Sequence, residues 1–124
     1  MQEKLNIEEM CYSYRLLYEI ETRMRSFIDE NMRKEHGYLW YRKRHFLTFD
    51  FHSARYYQLV QIIRKFPQLK SKFSNDEINK ITSLTDIRNK ICHMRELDYE
   101  EFELLTSCHA IIVNQTKELV EVFS

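Results

Sequence analysis

Residues 74–93 read SNDEINKITSLTDIRNKICH, and this stretch decides the fold. It opens with a capping box, Ser74-Asn75-Asp76-Glu77, in which a serine and a glutamate together cap the start of a helix. Apolar side chains then recur at the three- and four-residue spacing of a single helix face. These residues are Ile78, Ile81, Leu84, Ile87 and Ile91. The stretch therefore predicts an amphipathic helix, the third along the chain, that buries one face in a core.

The same spacing predicts three more helices. The first covers about residues 7–34, and Gly37 is placed to stop it as a left-handed cap. The second covers about residues 52–66, because Pro67 disfavours helical geometry in the residue ahead of it. A second pattern that resembles a capping box begins at Asp98 and predicts the start of the last helix. The apolar stripes are Met10, Tyr14, Leu17, Ile20, Met24 and Phe27 in the first helix, Tyr56, Leu59, Val60 and Ile63 in the second, and Leu104, Leu105, Ile111, Ile112, Leu119 and Val122 in the last.

Composition supports a helical class. The chain of 124 residues is long enough for one domain with one core, so residues 1–124 are expected to form a single unit. One glycine and one proline leave few sites for the turns that strands need. We therefore expect an all-α, up-and-down four-helix bundle. No stretch has the apolar length of a membrane span, no signal-peptide pattern opens the chain, and the three cysteines lack framework spacing. A cytoplasmic protein with reduced thiols is expected.

The charge balance limits the range of functions. The charges of the 19 basic and 19 acidic side chains cancel, and the isoelectric point is near 7.0. This balance argues against a protein that binds nucleic acids non-specifically, since such proteins are usually basic. It does not argue against an enzyme that contacts a few phosphates at one place. The charge is also uneven: residues 33–45 hold five basic side chains and one acid, whereas residues 96–103 hold five acids. The ordinary interpretation of each cluster is a solvated face.

Three residues late in the third helix carry possible chemistry. Asn89 and His93 are four residues apart and so share a helix face, near Thr85 and Asp86, while Arg88 lies at the border of that face. An arginine can hold a phosphate, and a histidine can exchange a proton near neutral pH. Together they suffice for cleaving RNA without a metal. The plainer interpretation is that such residues favour a helix end because of the macrodipole. A helix from a second subunit would be a natural cover for this face.

The segment LTDIRNKICHMREL, residues 84–97, resembles the signature of HEPN domains (higher eukaryotes and prokaryotes nucleotide-binding). The family pattern often reads L-x-x-I-R-N-x-I-x-H-x-R-x-L, and the segment matches every fixed position. Residues 18–25 with 38–40 are similar to the opening of small HEPN domains in bacterial defence proteins, and residues 49–65 resemble their second helix. The resemblance covers nearly the whole chain, although only the third-helix motif is specific.

The resemblance implies a four-helix core, a homodimer across the motif helices, and metal-independent endoribonuclease activity that leaves 2′,3′-cyclic phosphate and 5′-hydroxyl ends. It implies that His93 acts as general base or acid, that Arg88 holds the scissile phosphate, and that Asn89 orients the imidazole or hydrogen-bonds the phosphate. Both subunits would contribute to one cleft. Further residues that could line this cleft are Glu21, Arg25, Thr85 and Asp86. No metal or cofactor is expected.

The expected role is that of a toxin or anti-phage defence effector. The alternative is a non-catalytic HEPN module that serves dimerisation or nucleotide binding within a larger defence or toxin–antitoxin complex. A toxin held inactive by an antitoxin partner is also consistent with the sequence, because that partner would be another chain.

Three further patterns have an ordinary and a functional interpretation. Glu21 and Arg25 have the spacing of a surface ion pair on a helix. The pairs Cys92-His93 and Cys108-His109 are adjacent residues rather than residues at zinc-ligand spacing. The connector of residues 38–51 is aromatic and basic, and its side chains could bind RNA, although core packing is the commoner fate of such aromatics. The residues concerned are Tyr38, Trp40, Tyr41 and Phe46, with His36, His45 and His52 flanking them.

Overall fold

The computed structural model describes residues 3–43 and 45–116, and within these ranges the regular elements are helices, as predicted, with one isolated β-bridge between Lys4 and Asp98. The α-helices are α1 (Ile7–His36), α2 (Tyr56–Lys65), α3 (Pro67–Lys70), α4 (Asn75–Cys92) and α5 (Tyr99–Gln115). Two short 3-10 helices, Trp40–Arg42 and Phe51–Ser53, lie in the connector between α1 and α2. Across the described ranges, no helix has both the length and the apolar character needed to cross a membrane.

Helix α1 begins at a capping box and ends at the predicted glycine. The Asn6 side chain accepts a hydrogen bond from the Glu9 backbone N–H at 2.9 Å, and the Glu9 carboxylate accepts one from the Asn6 N–H at 3.0 Å. Gly37 has φ 91° and ψ 177°, and its N–H donates to the Arg33 carbonyl. The positive φ is the region that favours glycine, but ψ is extended, so the cap is not the left-handed one predicted. The helix ends two residues later than position 34.

The predicted start of the second helix at about residue 52 is wrong. The Asp50 side chain accepts a hydrogen bond from the His52 N–H, and residues 51–53 close into a separate 3-10 turn. Ala54 and Arg55 are then extended, and α2 begins at Tyr56. The predicted end is confirmed, since Phe66 is extended ahead of Pro67, which opens the single turn of α3.

The capping boxes predicted for the last two long helices are both present. Ser74 and Glu77 bond reciprocally at the start of α4, at 3.1 and 2.9 Å. Asp98 and Glu101 do the same for α5, at 2.8 and 3.0 Å. Because α3 precedes it, the motif helix is the fourth α-helix rather than the third. The predicted apolar positions Leu119 and Val122 lie outside the described residues.

The core forms where α1 packs along α5 and α4, with α2 closing the other side of α4. All five apolar residues of the α4 stripe are buried, as are the four predicted for α2. The prediction that Tyr14 of α1 is buried is wrong, because its side chain is 58% exposed. Trp40 is fully buried, donates to the Asp29 carboxylate at 2.9 Å, and packs its ring edge-on against Phe51. The connector is thereby fixed to the C-terminal half of α1.

Candidate functional site

Arg88 of the motif lies on the side of α4 that faces α1, where it meets Glu21. The Arg88 Nε donates to Glu21 Oε1 at 3.2 Å, and the two side chains are 23% and 24% exposed. The pair joins residues far apart in sequence, so it fixes the motif helix against α1. The two Nη nitrogens of Arg88 make no hydrogen bond with any other residue that the structure describes.

Asn89 and His93 lie one turn apart at the end of α4, and both side chains are exposed. Helix α4 ends at Cys92, and the His93 N–H donates to the Asn89 carbonyl at 3.1 Å. Met94 follows with φ 56° and a side chain that is 93% exposed. The motif histidine is therefore at the helix terminus, with its ring accessible to a substrate or a second chain.

Thr85 and Asp86 lie one turn before Asn89 on the same exposed side of α4. Thr85 is partly buried, and Asp86 is exposed. Both are close to the motif along the helix, as the sequence predicts. Among the described elements, α4 packs against α1, α2 and α5 on its other sides. Their place at the edge of a cleft stays a prediction.

Arg25 has a scaffolding role that the sequence interpretation missed. Its Nη1 donates to the carbonyl of Phe51 and its Nη2 to the carbonyl of Ala54, both at 3.1 Å. These bonds hold the turn that leads into α2. Glu21 and Arg25 therefore do not form the surface ion pair that their spacing suggests, since each is bonded to a distant part of the chain.

An exposed apolar strip on α1 borders the motif. Ile7, Tyr14 and Tyr18 are 82%, 58% and 61% exposed, and they follow one flank of the helix. Beside them lies an open groove of about 460 Å³, lined by Leu5, Asn6, Ile7, Met10, Cys11, Tyr14, Ile91, Met94 and Glu96. From sequence, Tyr14 was predicted to lie in the core, and Tyr18 was noted only as part of the family resemblance. The signal that could have found the strip is the spacing of residues 7, 11, 14 and 18 on one helix face.

Most connector aromatics pack in the core, which confirms their ordinary interpretation. Besides Trp40, Tyr41 stacks on Phe51, and Phe46 packs against Phe66 and His36. Tyr38 differs, because its ring is 72% exposed.

The cysteine and histidine pairs do not come together. Cys108 is buried with its Sγ 3.4 Å from the Lys80 carbonyl, and burial raises the pKa of its thiol to about 12. His109 Nε2 lies 2.7 Å from a carboxylate oxygen of Glu19, and this hydrogen bond lowers the pKa of Glu19. Cys92 is exposed at the end of α4. Within residues 3–43 and 45–116, no three His, Cys, Asp or Glu side chains are grouped so that they could hold a metal ion.

Comparison with known proteins does not assign the chain to a family. No family model matches the chain, and no curated protein or solved structure matches it either. The likeness of residues 84–97 to the HEPN signature therefore rests on the sequence alone, and a function based on it is a proposal.

Proposed function

We propose that the protein is a metal-independent endoribonuclease of the HEPN type that acts as a toxin or anti-phage defence effector. Its four longer helices form an up-and-down bundle, and two copies pair so that their motif helices build one cleft. The observation that carries the proposal is the state of Arg88. The Arg88 Nε donates a hydrogen bond to Glu21, and the two Nη nitrogens donate none to any residue that the structure describes. In the proposed site these two nitrogens form the fork that binds a phosphate.

The chemistry follows from what these side chains can do at a phosphodiester. The ribose 2′-hydroxyl loses its proton to a histidine and attacks the adjacent phosphorus. The bond from phosphorus to the 5′-oxygen breaks, and that oxygen receives a proton from a histidine. The products are a 2′,3′-cyclic phosphate and a 5′-hydroxyl, so protons and electrons balance without an external reactant. His93 of each subunit serves one of these two proton transfers.

Arg88 and Asn89 stabilise the charge that builds on the phosphoryl oxygens. Two Nη donors in one plane match two phosphoryl oxygens, which a lysine could not do. Asn89 lies on the exposed side one turn before His93. Its amide can donate to the phosphate or hold the imidazole in place. Glu21 acts as a positioning residue, because its bond to Nε restricts the arginine to one approach.

Dimer formation is supported by the apolar strip on α1. The exposed side chains of Ile7, Tyr14 and Met94 line a groove next to the motif, and exposed Tyr18 follows one turn after Tyr14 on the same flank of α1. Contiguous exposed apolar surface of this kind commonly marks a protein interface. A second copy on this strip would bring a second motif helix beside the first.

The test of catalysis is cleavage of RNA in the presence of EDTA. Wild type should cleave, whereas Arg88→Ala and His93→Ala should lose at least about a hundredfold in rate, as is typical when an acid–base or charge-stabilising group is removed. Arg15→Ala is the matched control, since Arg15 is also paired with a glutamate on α1 but is 74% exposed and distant in sequence from the motif. Added imidazole should restore part of the activity of His93→Ala. Intact RNA with wild type, or equal rates in all four proteins, contradicts the proposal.

The dimer has a separate test. Tyr18→Glu places a charge in the apolar strip and should shift the protein from dimer to monomer in sedimentation equilibrium, with loss of cleavage. Tyr12→Glu is the control, because Tyr12 is similarly exposed at 51% but lies on another flank, beside Phe102. A wild type that sediments as a monomer and cleaves RNA at full rate contradicts the composite site.

The second candidate function is a non-catalytic module for dimerisation or nucleotide binding in a larger defence or toxin–antitoxin complex. The observation that favours it is the same ion pair, because a carboxylate 3.2 Å from the arginine competes with a phosphate for the positive charge. The two functions differ in the cleavage assay. A module of this second kind would bind a partner or nucleotide and leave RNA intact.

A further inference from the structure

The charges of the chain are separated along the length of α1. A 30-residue helix is about 45 Å long. At its C-terminal end, Arg33, Lys34, Arg42 and Lys43 are exposed. At its N-terminal end lie Glu8 and Glu9 of the first turn and, through the bond from Leu5 N–H to the Leu97 carbonyl, the acidic run of residues 96–103. A neutral protein thus has one basic end and one acidic end.

Local ion pairs neutralise only part of the basic end. Arg33 contacts the Asp29 carboxylate at 3.0 Å. Lys34, Arg42 and Lys43 make no ion pair with any residue in the described ranges. Lys43 Nζ lies 6.0 Å from the centroid of the Phe46 ring, and the exposed Glu35 is the one acid between Lys34 and Lys43. The three cations outnumber this acid, so the surface keeps a net positive charge that can attract a polyanion.

The basic end also presents one flat aromatic surface. The Tyr38 ring is 72% exposed, and the Arg33 guanidinium carbon lies 4.1 Å from its centroid. A cation over an exposed ring contributes about 0.5–1 kcal/mol and so favours this orientation of the ring. The exposed part of the ring can then stack on a nucleic acid base, since every base has an aromatic face.

A stripe of bonded side chains leads from this surface to the motif. Glu21, Arg25, Asp29 and Arg33 follow one another at four-residue spacing, so they lie along the same flank of α1. They contact Arg88, the turn into α2, Trp40 and Tyr38 in that order. The flank from Glu21 to Arg33 is about 18 Å long at the rise of an α-helix. The connector is bonded to the middle of this flank through Arg25 and Asp29, so a single strand bound at Tyr38 would pass beside the flank to reach Arg88.

We propose that Arg33, Lys34, Tyr38, Arg42 and Lys43 form a loading surface for single-stranded RNA, which holds the strand while its continuation enters the site at Arg88. The direction of entry rests on the proposed nuclease function, but the binding surface does not. Single-stranded RNA fits better than a duplex, because an exposed ring can stack only on bases that are not paired in a helix. It fits better than a membrane, because the surface is mostly cationic and its exposed ring lies against the Arg33 guanidinium rather than within an apolar face.

The experiment measures binding separately from cleavage. A fluorescent oligonucleotide of roughly 20 nucleotides, longer than the 4–16 that a single-strand site typically covers, carries 2′-O-methyl groups throughout so that it cannot be cleaved. Fluorescence anisotropy gives its Kd with the full chain. Tyr38→Ala should raise the Kd at least about fivefold, the low end for loss of one base stack, and Tyr38→Phe should leave it within about twofold.

A double variant that reverses two charges tests the cationic side chains of the loading surface. Arg42→Glu with Lys43→Glu should raise the Kd at least about tenfold and reduce its salt dependence. Lys4→Glu with Arg15→Glu makes the same change in net charge at the other end and should have little effect. The inference is overturned if this control weakens binding as much as the connector pair, if Tyr38→Ala binds like wild type, or if the protein binds anionic lipid vesicles and not RNA.

Failure of this inference differs from failure of the proposed function. If His93→Ala abolishes cleavage while the Tyr38 and Arg42–Lys43 variants bind RNA normally, the nuclease stands and the loading surface is rejected. If the protein cleaves nothing but its binding depends on Tyr38 as stated, the surface stands and the nuclease is rejected. A dinucleotide substrate adds a third arm, since the Tyr38→Ala variant should cleave it as well as wild type does.

Discussion

Replacing Arg25 by alanine should destabilise the fold and leave the chemistry intact. The guanidinium donates to the carbonyls of Phe51 and Ala54, both at 3.1 Å. A hydrogen bond with a charged partner contributes about 1.5–3 kcal/mol. Because the side chain is only partly buried, water can replace part of each bond, and we expect a total loss of about 2–3 kcal/mol. For a chain of this size that loss lowers Tm by roughly 6–15 °C.

The assay is thermal unfolding followed by circular dichroism, together with RNA cleavage at a temperature where every variant is folded. Arg25→Lys should recover about half of the lost stability, since an ammonium can reach only one of the two carbonyls well. Arg15→Ala is the control for an exposed arginine and should change stability by less than about 0.5 kcal/mol. The reasoning is refuted if Arg25→Ala is as stable as Arg15→Ala, or if it is fully folded and has lost cleavage.

Three other predictions concern the scaffold. Ser74→Ala should cost about 1 kcal/mol in urea unfolding through loss of the α4 cap, whereas Ser83→Ala, at an exposed helix position, should cost less than about 0.5 kcal/mol. His109 lowers the pKa of Glu19, and a carboxyl with a depressed pKa adds stability above its unfolded-state pKa and loses it as the pH falls through the folded-state pKa. The difference in unfolding free energy between wild type and Glu19→Gln should therefore be present at neutral pH and begin to close as the pH falls below 4.5, the ordinary pKa of the carboxyl. A difference that widens on acidification would falsify this assignment. In thiol titration with a chromogenic disulfide, Cys108 should be the last of the three cysteines to react, and only on unfolding, because burial raises its pKa to about 12; its rapid reaction in the native protein would contradict the buried position.

The helices were predictable because their signals are local. Capping boxes, the glycine after α1 and Pro67 act within a few residues, so their positions follow from the sequence alone. The start of α2 was missed since Asp50 caps a separate 3-10 turn, and the sequence does not distinguish that turn from the first turn of a helix. Tyr14 was misplaced because its spacing fits the stripe, yet no described element covers that flank of α1.

The candidate site was predictable in its residues and not in its contacts. Arg88 was recognisable from the motif, but its partner Glu21 lies on another helix, and a pairing of that range depends on how the helices pack. Arg25 lies four residues after Glu21, which is the spacing of an ion pair on a helix. Its hydrogen bonds to the turn at Phe51 become apparent only when the position of that turn is known. Exposure likewise separates Tyr38 from Trp40, since both are aromatic residues in one connector.

The most direct measurement of the central claim is the chemistry of the RNA ends left by purified protein in EDTA. Transfer of the phosphate to the 2′-oxygen predicts 2′,3′-cyclic phosphate and 5′-hydroxyl ends with wild type and none above background with His93→Ala. Ends that carry a 3′-hydroxyl and a 5′-phosphate, or cyclic ends that appear equally with His93→Ala, would contradict the assignment of Arg88 and His93.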